Sequence, residues 1–234
     1  MMMMNNDEKP IVIGVGGFAR SGKDTFVKIA KKILKENGYS SIKLAFADAL
    51  REEIDHFLIE NYGISAWTDD TEEKTIIRPF LVAHGCGKRS QSNGTYWVNK
   101  INEAIENIHF TEDVVFISDC RFPNEVDWVH NKWNGWFVHL KKYLVSDLNS
   151  FGGEVYYGEK LYDPPPNEEE SIQDPICEAK ADYKLELENA IEREKRLSGN
   201  TITPESLIDN TYLNEEIRLC LMKCPLLSLT TPTP

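Results

Sequence analysis

Apolar residues change their spacing along this chain in a way that marks strands and helices in alternation. Residues 11–17, IVIGVGG, form an apolar, β-branched run without polar alternation. That predicts a strand buried on both faces, as in a parallel sheet. Phe26, Ile29, Ala30, Ile33 and Leu34 then recur at helical spacing, and Asn37-Gly38 supplies a stop. Residues 41–48 read as a second strand, and Leu50, Ile54, Phe57 and Leu58 mark a second helix ending near Tyr62-Gly63. A helix is expected over 76–83, then a loop (HGCGKRSQSNG) and a further helix from about 96 to 108. Residues 113–119 read as another buried strand, 123–133 as a short helix with Pro123 near its first turn, and 135–140 as a strand.

Beyond residue 140 the character changes. Residues 141–176 are rich in Gly, Pro and acid and predict an irregular acidic insertion or flap rather than a second domain. Residues 181–189 alternate as a strand exposed on one face does, and 213–223 form a closing helix with Leu213, Ile217, Cys220 and Leu221 on one side. The resulting division is a disordered start over 1–9, a single domain over 10–225 and a loose tail over 226–234. Strands alternating with helices predict an α/β domain of three layers, with a mostly parallel central sheet flanked by helices. Ligands of such sheets sit beyond the carboxyl ends of the strands. The loop at 17–22, Asp48 and the DCRF segment at 119–122 all fall there.

Length and charge narrow the classes. At 234 residues and 41% hydrophobic, the chain suits one ordinary domain with a sizeable core. Lys and Arg total 26 against 38 Asp and Glu, a net charge of −12. That balance repels a long polyanion and argues against a DNA or RNA partner, while a small phosphorylated substrate needs only a few focused cations. No apolar run approaches the ~20 residues that cross a bilayer, and the start lacks a secretory pattern, so no membrane partner and a cytoplasmic location are expected. The 5 cysteines are scattered without a CxxC, which fits reduced thiols. Cys220 and Cys224 lack further ligands for a zinc site.

The stretch GFARSGKDTF, residues 17–26, carries the clearest chemistry. A glycine loop between a buried strand and a helix points backbone N–H groups inward as an anion nest, reinforced by the helix dipole. Gly17 and Gly22 allow the close approaches, with Arg20 and Ser21 between them, and Lys23 would reach the β- and γ-phosphates of a nucleotide. Asp24 stands where a hydroxyl is usual, with Thr25 next. Asp24 could hold Mg²⁺, orient an acceptor, or simply favour the helix start, and Thr25 could reach a phosphate oxygen. Arg20, Arg51, Arg78, Arg89 and Arg121 fall in the half that builds this edge, where a guanidinium fork suits phosphate. Arg121 lies two residues past Asp119, which stands where a Mg²⁺-linked carboxylate is suited or where a loop aspartate makes an Asx-turn. Phe80, Tyr96 and Trp97 read equally as stacking on a base or as core, and for Phe80 core is the better reading.

GFARSGKDT, FADALRE and ISDCRFPNEVDWV together resemble the deoxynucleoside monophosphate kinases of tailed bacteriophages, within the P-loop nucleoside monophosphate kinase group. The similar segments spread over about residues 11–140. The resemblance implies a P-loop NTPase fold and transfer of the γ-phosphoryl of ATP to a deoxynucleoside 5′-monophosphate with Mg²⁺. It implies that residues 17–25 cradle ATP, that Asp48 and Arg51 face the acceptor, and that Arg78 lies near its phosphate. Arg121 would contact a transferring or acceptor phosphate, with Asp119 beside the metal, and Asn124 and Glu125 would brace that loop. A homodimer in a host cytoplasm is implied as well. LVAHGCGKRSQSNGTYW departs from the family's pattern, with Lys88 or Arg89 standing for its arginine, and the 141–176 flap has no arginine to serve as a lid. Two alternatives stay open. One is a P-loop kinase acting on a hydroxyl, with Asp24, Asp48 or Asp119 as base. The other is a nucleotide switch without transfer, although NKWN at 131–134 lacks the aspartate of a GTPase base-reading motif.

Overall fold

A computed structural model describes residues 9–108, 112–146, 150–151, 154–155, 158–199 and 202–229. The expected disordered start lies, but for Lys9, outside the described residues, as do 230–234 of the expected tail and part of the 141–176 segment. Strand β1 (Ile11–Gly16) leads into helix α1 (Lys23–Glu36), followed by β2 (Ser41–Leu44), α2 (Phe46–Tyr62), α3 (Thr71–Gln91) and α4 (Thr95–Ile108). Next come β3 (Val114–Cys120), α5 (Pro123–Trp133), β4 (Trp136–Val145), the short pair β5 (Ser150–Phe151) and β6 (Glu154–Val155), and β7 (Lys160–Tyr162). Helix α6 (Glu168–Ala179), β8 (Tyr183–Glu188), α7 (Ala190–Ser198), a 3₁₀ turn (Pro204–Asp209) and α8 (Thr211–Met222) complete the order.

The parallel strands run β2-β3-β1-β4. Val138 and His139 of β4 pair with β1 on one edge and with β8 on the other, so β8 extends the parallel sheet. β7 joins antiparallel to the far end of β4. Alternation along each buried strand supplies two cores. Ile13, Val15, Val114, Phe116, Trp136 and Val138 face one side, under α1 and α8. Val12, Val115, Ile117 and Phe137 face the other, under α4, α5 and the start of α2. A smaller cluster of Ile54, Leu58, Ala66 and Ile77 joins α2 to α3. The apolar stripe expected on α1 is fully used: Phe26, Ile29, Ala30, Ile33 and Leu34 are each 0% exposed. Each large side chain of that kind contributes about 1.5–3 kcal/mol.

Several boundaries differ from expectation for identifiable reasons. β2 stops at Leu44 and α2 begins at Phe46, so Asp48 stands in the first helical turn rather than in a strand. α3 is a single helix of 21 residues that runs through the stretch expected to be a loop. Asp70 caps it by accepting from the N–H groups of Glu72 and Glu73. Gly85 lies inside it, buried against α2, where a Cβ would stand 2.6 Å from Leu50 Cδ1. The 141–176 segment is not irregular throughout, since β4 continues to Val145 and α6 begins at Glu168, capped by Asn167. α7 and the 3₁₀ turn were not anticipated. Of the expected loose tail, Leu227 is buried and Leu226 and Leu229 pack on the α1–α8 core, drawn in by apolar burial.

Candidate active site

Three chain segments meet beyond the carboxyl ends of β1 and β3. The first is the loop after β1. Gly17 has φ +122°, and a Cβ there would stand 2.2 Å from the carbonyl oxygen of Leu140, so no other residue fits without displacing β4. Arg20 is left-handed at φ +66°, and its carbonyl accepts from Lys142 Nζ of β4 at 2.9 Å. Gly22, at φ +97°, precedes α1 and offers no side chain to cap its first turn. The amides of that turn are therefore directed at whatever anion occupies the loop. Lys23 lies folded over this nest, its Nζ donating to the carbonyls of Gly17 at 2.7 Å and Phe18 at 2.6 Å, with Ser21 Oγ at 3.5 Å. Burial and the nearby Arg121 push the Lys23 ammonium down to about 8.

The second segment is the end of β3. Asp119 accepts from the backbone N–H of Phe46 at 2.8 Å and of Ala47 at 2.9 Å. It caps α2, whose own N-cap residue, Ala45, has no side chain able to do so. Burial, the largest influence, raises its carboxyl above the ordinary value despite those two bonds. Glu125 accepts from the N–H groups of Arg121 at 2.8 Å and Phe122 at 3.1 Å, and pairs with Arg89 at 3.3 Å. Burial pushes it up to about 7. Glu125 thus fixes the turn that aims Arg121, and Asn124 ties the same turn to the Gly94 carbonyl.

The third segment is α6. Glu170 Oε2 accepts from the N–H of Ala19 in the loop at 2.9 Å, and its Oε1 lies 3.4 Å from Arg121 Nη1. The acidic run at 168–170 gave no sign of this contact in sequence, although Asn-x-x-Glu at 167–170 is a helix-start pattern that could have placed the helix.

Between α2, α3 and the end of β3 opens a cleft of about 230 Å³. Phe46, Leu50, Leu81 and Val82 give it apolar walls, and Arg51, Arg89 and Arg121 reach it together with Asp119. Arg89 stacks over Phe122 at 3.6 Å, so of the two candidates Lys88 and Arg89 it is Arg89 that faces the cleft. Lys88 lies over Tyr96 instead. Arg51 pairs with Asp48 at 2.8 Å and sits over Trp67. Arg78 is exposed and opens on a neighbouring hollow shared with Arg51, Trp67 and Lys74. Trp97 touches the cleft wall but is 2% exposed, its indole N–H donating to the Gly85 carbonyl, so it serves as core rather than as an open stacking face. Tyr96 is held by its hydroxyl to Glu53. Asp24 points outward to an ion pair with Lys43 at 2.9 Å. Thr25 faces a second hollow of about 190 Å³ on the opposite flank of the loop, with Arg20, Ser21, Gly22, Asn189 and Ile191.

A strand, a glycine loop with a buried lysine and a helix, set at the centre of a β2-β3-β1-β4-β8 parallel sheet, define the architecture. This is a three-layer P-loop fold. No protein-family model matches the chain, and no curated protein does. Solved structures that it resembles include TT1252 from Thermus thermophilus, 15% identical, covering 92% of this chain and 98% of that one at a TM-score of 0.38. A gluconokinase from Sinorhizobium meliloti 1021 is 15% identical over 92% of this chain and 91% of its own, with a TM-score of 0.32. A sugar kinase from Janibacter sp. HTCC2649 is 16% identical over 88% and 95%, with a TM-score of 0.35. At these levels of likeness the assignment of fold rests on the strand order and the loop of this chain. Among the described residues, none of the helices is long and apolar enough to cross a membrane, and no cluster of three or more metal-ligating side chains forms.

Proposed function

We propose that this protein is a phosphotransferase that moves the γ-phosphoryl of ATP to a deoxynucleoside 5′-monophosphate. The observation that carries the reading is the position of Arg121, between the Lys23 loop and a cleft that Arg51 and Arg89 also reach. Such a site offers cations to two phosphate groups from opposite sides. The loop from Gly17 to Thr25 takes the triphosphate. The hollow beside Ser21, Thr25 and Ile191 takes the rest of the donor. The cleft takes the acceptor, its base against Leu50, Leu81 and Val82 and its phosphate toward the arginines. The preference for a deoxynucleotide rests on the resemblance of GFARSGKDT, FADALRE and ISDCRFPNEVDWV.

Phosphoryl transfer asks a protein mainly for alignment and for charge to offset the crowded phosphates. Lys23 exchanges its two carbonyl contacts for phosphate oxygens, and Arg121 bridges donor and acceptor. An acceptor phosphate is already ionised near neutrality, so no strong general base is needed. Mg²⁺ keeps several waters and leans on substrate phosphates with one or two protein groups. Asp119, whose oxygens each keep a lone pair beyond the α2 cap, is the group on the Arg121 side that would hold it, while Thr25 faces the hollow on the opposite flank of the loop. Bound there, it would offset charge on the transferring group.

The test is ADP release from ATP across dAMP, dGMP, dCMP, dTMP, their ribose forms and hydroxyl acceptors. Acceptor-dependent ADP with one or more deoxynucleotides is expected. Stimulation by hydroxyl acceptors alone, or ADP release indifferent to every acceptor, overturns the reading.

A further inference from the structure

Helix α6 carries three acids at intervals of four residues, Glu170, Asp174 and Glu178, hence along one face. Each meets a different polar group. Glu178 pairs with Lys141 at 2.7 Å, and Asp174 with the buried His139 at 2.9 Å. His139 and Lys141 are alternate residues of β4, and His139 pairs with Gly16 at the mouth of the loop. The helix is therefore pinned along β4 at two points, which delivers Glu170 to the loop. There its carboxylate, in a side chain only 10% exposed, holds the Ala19 N–H and lies against Arg121. A terminal phosphoryl group in the loop calls on the same two donors. A carboxylate and a phosphoryl group cannot share them at hydrogen-bond distance without strong like-charge repulsion.

We propose that the first turn of α6 is an anion-operated gate, with Glu170 standing in for the terminal phosphoryl group on Ala19 and Arg121 until a triphosphate expels it. The idea rests on the reading of the loop as the triphosphate site and adds its regulation. Departure of Glu170 frees Arg121 for transfer. It also moves Glu169, which lines the acceptor cleft, so donor binding prepares the acceptor site. The helix has a place to yield. Pro175 has no N–H for the Ser171 carbonyl, so one bond between the gate turn and the pinned segment is missing. Asp174 and Glu178 keep the remainder docked, so the gate is a local swing rather than release of the whole helix.

Calorimetry of MgATP binding to the full chain and to Glu170→Gln tests the competition. The variant keeps the size of the side chain and removes the competing charge. Binding tighter by about fivefold or more is expected, because the fraction of protein closed to the ligand falls. Hydrogen–deuterium exchange over 168–173 in the unaltered protein tests the motion, and faster exchange with MgATP than without is expected. Equal or weaker binding by Glu170→Gln, or exchange that MgATP leaves unchanged, overturns the gate. The exchange arm also separates motion from a mere loss of nearby charge, and it stands even if the variant does not fold. If the unaltered protein binds no MgATP, the loop reading falls and the gate with it. Binding by the unaltered protein with no gain in the variant sinks the gate alone.

Discussion

Raising the pH from 7 to 9 is expected to weaken nucleotide binding through Lys23. Its ammonium is held in a loop where burial, with Arg121 adding to it, lowers the pKa from 10.5 to about 8. Phosphate oxygens favour the charged form, so the bound state restores the higher value. The sign follows. At pH 7 and below the lysine is charged before and after binding, and affinity is level. Between about 8 and the raised value, binding must take up a proton, and affinity falls as pH rises. With a free-state pKa of about 8, the charged fraction drops about tenfold between pH 7 and 9, so the dissociation constant should rise by about tenfold, or about 1.4 kcal/mol. Calorimetry at pH 9 in two buffers of different ionisation enthalpy should show uptake approaching one proton per ATP. Lys23→Met should bind weakly with no such slope. A dissociation constant flat from pH 7 to 9.5, or a slope that survives in Lys23→Met, would refute the assignment of Lys23 to the phosphates.

Other substitutions probe the frame around the loop. Arg121→Ala should reduce transfer at least a hundredfold, about 2.7 kcal/mol at the transition state, while the thermal midpoint changes little, since the side chain is 47% exposed. Gly17→Ala drives a methyl to 2.2 Å from the Leu140 carbonyl at φ +122°, and a loss of about 2 kcal/mol or more is expected in urea denaturation. Asp119→Ala strips the cap from Phe46 and Ala47 and should lower stability by about 2 kcal/mol, whereas Asp119→Asn, keeping one acceptor, should lose less by the same measurement. Trp97→Ala should cost about 3–5 kcal/mol as a core truncation, while Trp97→Phe should leave the acceptor KM near its original value, as fits a wall residue rather than a stacking platform.

Local chemistry alone determined the centre of this molecule. A short apolar run without alternation, rich in β-branched residues and closed by glycines, suits a strand covered on both faces, and two glycines before a lysine and an amphipathic helix leave little choice of conformation. β1, the loop, α1, β3 and the turn bearing Arg121 were therefore legible in the chain. What stayed hidden depended on contacts between distant residues. The HGCGKRSQ stretch looks like a loop until Leu50 of α2 packs against Gly85 and turns its weak helix propensity into a close helix–helix contact. Asp119 can be placed at the end of β3 from the chain alone, but not the cap it gives to the bare amides of α2. For Trp97 the chain leaves a stacking face and a core residue equally open, and the fold decides by burying it. Glu170 lies 151 residues from Ala19, in a segment whose composition suggests only solvated acid. Pairing across that distance is set by how β4 carries His139 and Lys141 beneath α6, a matter of tertiary register that side-chain periodicity does not encode.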